Sequence, residues 1–305
     1  MRLPTRRSQE MLGLIRSHKK MAAKISNGVL MQINPPAQWL AHLRLNGTIG
    51  AAIGGLGMPA MLIEPRRVLR EDAVILHLHG GAYVSGRLLQ CRALISPLCA
   101  AAGLRTVTFS YRLAPEFPHP AQLEDALRVY DYLIAAGYTP DKIVLVGESA
   151  GGNLALELAL KLREQGRGMP AALALMSPWT DLTQSGESYR ELRAQDATLD
   201  AEELLRSAIA YAGGDASRLS QPDFSPVFAD FHGFPPTLIH CGTQELLLSD
   251  SVLLEKAMLR DGVDAKLLQW EGMCHVFQAF GFEESRASIA QLAAFIQKTL
   301  GIAQE

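Results

Sequence analysis

Lys142-Ile143-Val144-Leu145-Val146-Gly147-Glu148-Ser149-Ala150-Gly151-Gly152-Asn153-Leu154-Ala155-Leu156 runs from a β-branched apolar segment, through a turn of small residues, into a helical pattern. The centre of this stretch, Gly147-Glu148-Ser149-Ala150-Gly151, is a G-x-S-x-G pattern. A serine on such a sharp strand-to-helix turn is held in strained backbone geometry, with its hydroxyl exposed above a sheet, and the small flanking residues avoid clashes there. The five-residue pattern is common by chance, so the strand–turn–helix setting carries the weight. Ser149 is therefore the candidate nucleophile, and a parallel sheet covered by helices is the expected frame.

The rest of the chain fits that frame. Apolar runs at Ala73–Leu78, Thr106–Ser110, Ile143–Val146, Ala172–Met176, Thr237–Cys241 and Ala265–Gln269 read as strands buried on both faces. Helical patterns near 87–102, 121–136, 151–165, 249–262 and 283–299 are long enough for right-handed crossovers. Segments near 47–53 and 58–64 read as an antiparallel edge hairpin. Residues 46–182 and 226–305 are thus expected to form one α/β core, with 1–45 and 183–225 as a helical cap. The cap belongs beyond the carboxyl ends of the strands, where open α/β sheets bind ligands.

About 70 residues before Ser149, His79-Gly80-Gly81-Ala82-Tyr83 follows the strand Ala73–Leu78, as an oxyanion loop should. Glycine lets backbone approach a tetrahedral oxyanion, so the N–H groups of Gly80 and Gly81, with that of Ala150, are expected to stabilise its charge. His79 reads as a structural brace. His275 is the candidate base, because its loop follows the last strand, precedes the last helix, and lies after both Ser149 and an acidic loop. In that loop Glu245 stands four residues beyond the strand end at Cys241 and is the candidate acid. Asp250, beside Ser249 where a helix begins, is expected to cap that helix.

Composition leaves these readings intact. The chain has 305 residues, 48% of them hydrophobic and 20% charged, which suits one large globular domain with an appendage. The net charge of −2 gives no electrostatic reason for a nucleic-acid partner. Residues 1–45 carry eight Lys/Arg against Glu10, and Leu12, Ile15, Ala22 and Ile25 recur there at near-helical spacing, predicting a basic amphipathic covering helix. No apolar run reaches the ~18–20 residues of a membrane span, and no secretory signal is evident, so a cytoplasmic protein without stable membrane insertion is expected. Cys91, Cys99, Cys241 and Cys274 show no paired spacing and read as buried free thiols. With no Gly-rich phosphate loop and no H-E-x-x-H motif, neither cofactor nor metal is expected.

Four segments together make the sequence similar to the bacterial hormone-sensitive lipase-like esterases, the family IV lipolytic enzymes. They are His79-Gly80-Gly81-Ala82-Tyr83-Val84, Tyr111-Arg112-Leu113-Ala114-Pro115-Glu116, Gly147-Glu148-Ser149-Ala150-Gly151-Gly152 and Ser177-Pro178-Trp179. The resemblance covers nearly the whole chain beyond residue 45. It implies the α/β-hydrolase fold, a buttressing role for Tyr111–Glu116, and a small-molecule ester substrate with a short or medium acyl chain. The departures are Ala82 as fourth residue of the oxyanion motif, Glu148 in place of aspartate, and Glu245 in the acid loop. The readings left open are a non-catalytic ligand-binding protein on a hydrolase scaffold, an amidase or lactonase with the same triad, and a homodimer.

Overall fold

The computed structural model describes residues 5–6, 8–13, 44–86 and 88–303. In chain order the first elements are β1 (Arg44–Leu45), β2 (Thr48–Ile53), β3 (Ala60–Pro65), β4 (Val74–Leu78), α1 (Leu88–Ala102), β5 (Arg105–Phe109) and α2 (Ala121–Ala135). Then come β6 (Ile143–Glu148), α3 (Ala150–Glu164), β7 (Ala172–Met176), α4 (Ser188–Glu191) and α5 (Ala201–Tyr211). The chain closes with β8 (Thr237–Gly242), α6 (Leu248–Arg260), β9 (Ala265–Trp270) and α7 (Glu283–Thr299).

The strands form one nine-stranded sheet in the order β1-β2-β3-β5-β4-β6-β7-β8-β9. From β5 to β9 every pairing is parallel, while β1, β2 and β3 make an antiparallel edge. The six expected core strands and the hairpin are all present, and the hairpin register runs from Thr48↔Pro65 to Ile53↔Ala60. The fold is the expected α/β-hydrolase arrangement.

Burial on both faces explains why the central strands read as continuous apolar runs. Along β6, Ile143 and Leu145 point into one buried layer and Val144 and Val146 into the other, as the two-residue pleat requires. The second layer is closed by α1 and α7, through Ile95, Leu98, Leu292 and Ile296. The first is closed by α2, α3 and α6, through Val129, Leu133, Leu158 and Met258.

The 183–225 insertion holds α4 and α5, and α5 begins with a real cap: Asp200 accepts the N–H groups of Glu202 and Glu203. The basic amphipathic helix expected over 1–45 falls mostly outside the described residues. Residues 8–13 are helical, and Leu12 is buried against Met273, Cys274 and Phe277. Thr5 N and Ser8 Oγ both donate to the carboxylate of Glu284 at the start of α7.

Candidate active site

β6 ends at Glu148, so Ser149 sits at the carboxyl edge of the sheet on the turn into α3. Its backbone has φ 56° and ψ −125°, the left-handed side of conformational space, which costs a residue with a Cβ about 1–3 kcal/mol. Neighbouring backbone holds it there: Ser149 N donates to Met176 O at 3.0 Å, and Ser149 O accepts from Trp179 N at 3.0 Å. The turn is too tight for side chains on either flank. A Cβ on Gly147 would lie 2.2 Å from Gly151 O, and one on Gly151 would lie 2.0 Å from Leu78 O.

The loop after β4 lies beside this turn. His79 is buried and stacks on Tyr111 at 3.9 Å, its Nδ1–H donates to Gly80 O at 2.6 Å, and Tyr111 Oη donates to His79 O at 2.7 Å. Burial pushes the His79 imidazole down to about 4, so it stays neutral and braces the loop. Gly80 N, expected to face an oxyanion, instead donates to Glu148 Oε1 at 2.7 Å. Glu148 is fixed in turn by His77 Nε2 at 2.7 Å, and His77 by Thr108 Oγ1 at 2.9 Å. Among the described residues, the N–H groups of Gly81, Ala82 and Ala150 have no acceptor. Ala82 adopts φ 52° despite its Cβ.

Glu245 and His275 arrive from the loops after β8 and β9. His275 Nδ1 lies 3.4 Å from Glu245 Oε1, with both residues buried. This is longer than the 2.7–2.9 Å of a tight charge-assisted bond. The other carboxylate oxygen accepts from Ser177 Oγ and from Gly242 N, each at 2.9 Å. Ser177 Oγ also accepts Val276 N at 3.1 Å, so this one hydroxyl ties the acid loop to the histidine loop. The sequence reading gave Ser177 no role; its only signal was membership of the Ser177-Pro178-Trp179 segment.

Asp250 is placed elsewhere. α6 begins at Leu248 with no side-chain cap, and Asp250 in its first turn reaches across to accept Thr180 N at 2.8 Å and Asp181 N at 2.9 Å. The expected helix cap is therefore a cross-link to the segment after β7. Burial pushes the Asp250 carboxyl well above the ordinary carboxylate range.

Ser149, His275, Gly81 and Ala82 line one cavity of about 480 Å³, together with apolar Leu94 and, from the insertion, Leu199 and Leu204. All four cysteines are buried thiols outside any disulfide. Among the described residues, the one grouping able to approach a metal ion is Asp230, His232 and Asp261, and none of these lines the cavity.

Comparison with known proteins places this geometry in context. Residues 75–279 match the α/β-hydrolase fold family. An acetyl-hydrolase of Streptomyces hygroscopicus is 35% identical over 263 residues, covering 82% of this chain and 87% of that protein. An esterase of Acinetobacter venetianus is 37% identical over 224 residues, covering 73% and 74%. A crystal structure of an esterase from the bacterial hormone-sensitive lipase family superposes with a TM-score of 0.85 at 33% identity, covering 98% of this chain and all of the other. The chain belongs to the α/β-hydrolase family and, within it, to the bacterial hormone-sensitive lipase-like carboxylic ester hydrolases.

Proposed function

We propose that the protein hydrolyses short- to medium-chain carboxylic esters through an acyl-enzyme on Ser149. The observation that carries this reading is the convergence of a strained serine and a carboxylate-paired histidine on one apolar-walled cavity. Ser149 Oγ attacks the ester carbonyl as His275 Nε2 takes its proton, and a C–O bond forms to the serine. Glu245 holds Nδ1 protonated and stabilises the imidazolium. Charge on the carbonyl oxygen meets the N–H groups of Gly81, Ala82 and Ala150; Ala82 takes the place first given to Gly80. His275 then returns the proton to the leaving alcohol. Water, deprotonated by the same histidine, releases the acid and restores Ser149.

Under this reading the 183–225 insertion acts as a cap over the site, supported by Leu199 and Leu204 in the cavity wall, while most of the 1–45 part of the expected cap lies outside the described residues. Four buried cysteines outside any disulfide support a cytoplasmic setting. A fluorophosphonate should label Ser149 alone, and Ser149→Ala should lose ester hydrolysis while keeping the circular dichroism spectrum. Labelling at another serine, or an active alanine variant, removes the assignment.

A further inference from the structure

The mechanism leaves one buried carboxylate unused. Glu157 lies on α3 eight residues after Ser149, so Ser149, Asn153 and Glu157 follow one another along the same helical face. Glu157 is buried, and burial raises its pKa above the ordinary value. Tyr211 Oη lies 2.9 Å from Glu157 Oε1 and 3.1 Å from Oε2, and Tyr83 Oη lies 3.1 Å from Oε1. Tyr83 Oη also reaches Asn153 Oδ1 at 2.8 Å, and His119 Nε2 stands 3.5 Å from Glu157 Oε2. The Asn153 amide is anchored in turn, donating to Trp179 O and Phe224 O.

The two tyrosines belong to two separate parts of the proposed site, the loop after β4 and the inserted helix α5. Tyr83 follows Gly81 and Ala82 in the oxyanion loop, and Ala82 and Tyr83 both have positive φ, 52° and 63°. Successive residues with a Cβ keep that conformation only where their surroundings over-determine it. Tyr211 is the last residue of α5, whose Leu204 lines the cavity. The rings stack at 3.7 Å with 2° between their planes, both fully buried. Glu157 therefore touches no reacting atom yet fastens the loop and the helix to the helix that begins at the nucleophile.

We infer that Glu157 is a positioning residue: by accepting the Tyr83 and Tyr211 hydroxyls it sets the Gly81 and Ala82 N–H groups in register with Ser149 and couples them to α5. The inference rests on the proposed serine-esterase reading. Its chemistry makes a sharp distinction between two substitutions. Glu157→Gln keeps a carbonyl oxygen for both hydroxyls, whereas Glu157→Leu keeps the bulk, removes the acceptor of Tyr211 and leaves Tyr83 tied to Asn153 Oδ1 alone.

The test uses the full chain with p-nitrophenyl butyrate, each rate taken per active site titrated with a fluorophosphonate, so that misfolded protein does not count. Glu157→Leu should lower kcat by about ten-fold or more with KM changed less than about three-fold, and Glu157→Gln should stay within about three-fold of wild type. The rate ratio between an ester and its thiono analogue, whose larger and weaker-accepting sulfur reads the fit of the oxyanion site, should shrink in the leucine variant. Tyr83→Phe combined with Glu157→Leu should cost less than the product of the single effects, as partners in one contact do. An unchanged kcat and thiono ratio in Glu157→Leu, with wild type active, overturns the inference; so does full additivity with Tyr83→Phe. Wild type without esterase activity or labelling at Ser149 would instead remove the functional reading itself.

Discussion

Glu245 and Asp250 stand five residues apart in one loop-and-helix segment and are both fully buried, yet they do opposite work. Glu245 faces His275 and spends its second oxygen on Ser177 and Gly242, whereas Asp250 spends its single engaged oxygen on two backbone N–H groups. Glu245→Gln should therefore lower kcat by up to ~10⁴, the scale of losing the acid that fixes the histidine tautomer, with a small change in stability. Asp250→Asn keeps an oxygen for Thr180 and Asp181 and no longer titrates. The folded Asp250 pKa is raised above the unfolded value of ~3.9, so its stabilisation is whole below about pH 4 and is lost as pH rises toward the folded value. Melting curves should show the asparagine variant gaining on wild type from pH 4 to pH 8, with kcat held within about two-fold. A variant that lost ground with rising pH would contradict the charge-burial account, and a collapse of kcat would give Asp250 the acid role. Sequence could place both residues just beyond β8 because strand ends are local signals. It could not see that Gly80 N is taken by Glu148 or that Ser177 joins two loops, because all three bonds link residues about 70 or more positions apart.

Among the elements, periodicity made the sheet legible: double-sided burial writes β4, β6 and β7 as unbroken apolar runs. The insertion was legible only as an interruption, since its helices are short and take their place from tertiary contacts, such as Tyr211 against Tyr83. The N-terminal segment shows the same dependence. Leu12 packs against residues far away in sequence, Met273 and Cys274 directly before the catalytic candidate His275 and Phe277 after it. Leu12→Ala should cost about 2 kcal/mol, the low end for truncating a buried leucine in a small cluster that can partly close. Loosening of this cluster should also lower kcat several-fold through the His275 loop. Thermal melts and p-nitrophenyl butyrate rates check the two parts separately. A variant with the wild-type melting temperature would mean that the segment rests on the core without supporting it.

At the scale of the whole molecule, five neighbouring strands deliver the proposed site: β4 leads to Gly81 and Ala82, β6 to Ser149, β7 to Ser177, β8 to Glu245 and β9 to His275. Parallel neighbours about 4.8 Å apart bring loops from distant sequence to one edge, as open α/β sheets do. That edge alone would be a shallow groove. The insertion supplies a further wall, with Leu199 and Leu204 lining, as Leu94 does, a cavity of about 480 Å³, near the lower end of the ~300–1,000 Å³ typical of small-ligand sites. Hydrolysis of p-nitrophenyl esters should therefore peak between about two and eight acyl carbons and fall away at palmitate. Leu204→Phe tests which part of the ester this wall meets. If it bounds the acyl chain, the added ring should move the optimum to shorter acids, with acetate little affected and octanoate reduced most. Equal losses at every chain length would put the alcohol against this wall, and palmitate turned over as fast as butyrate would show that the cap does not close the site.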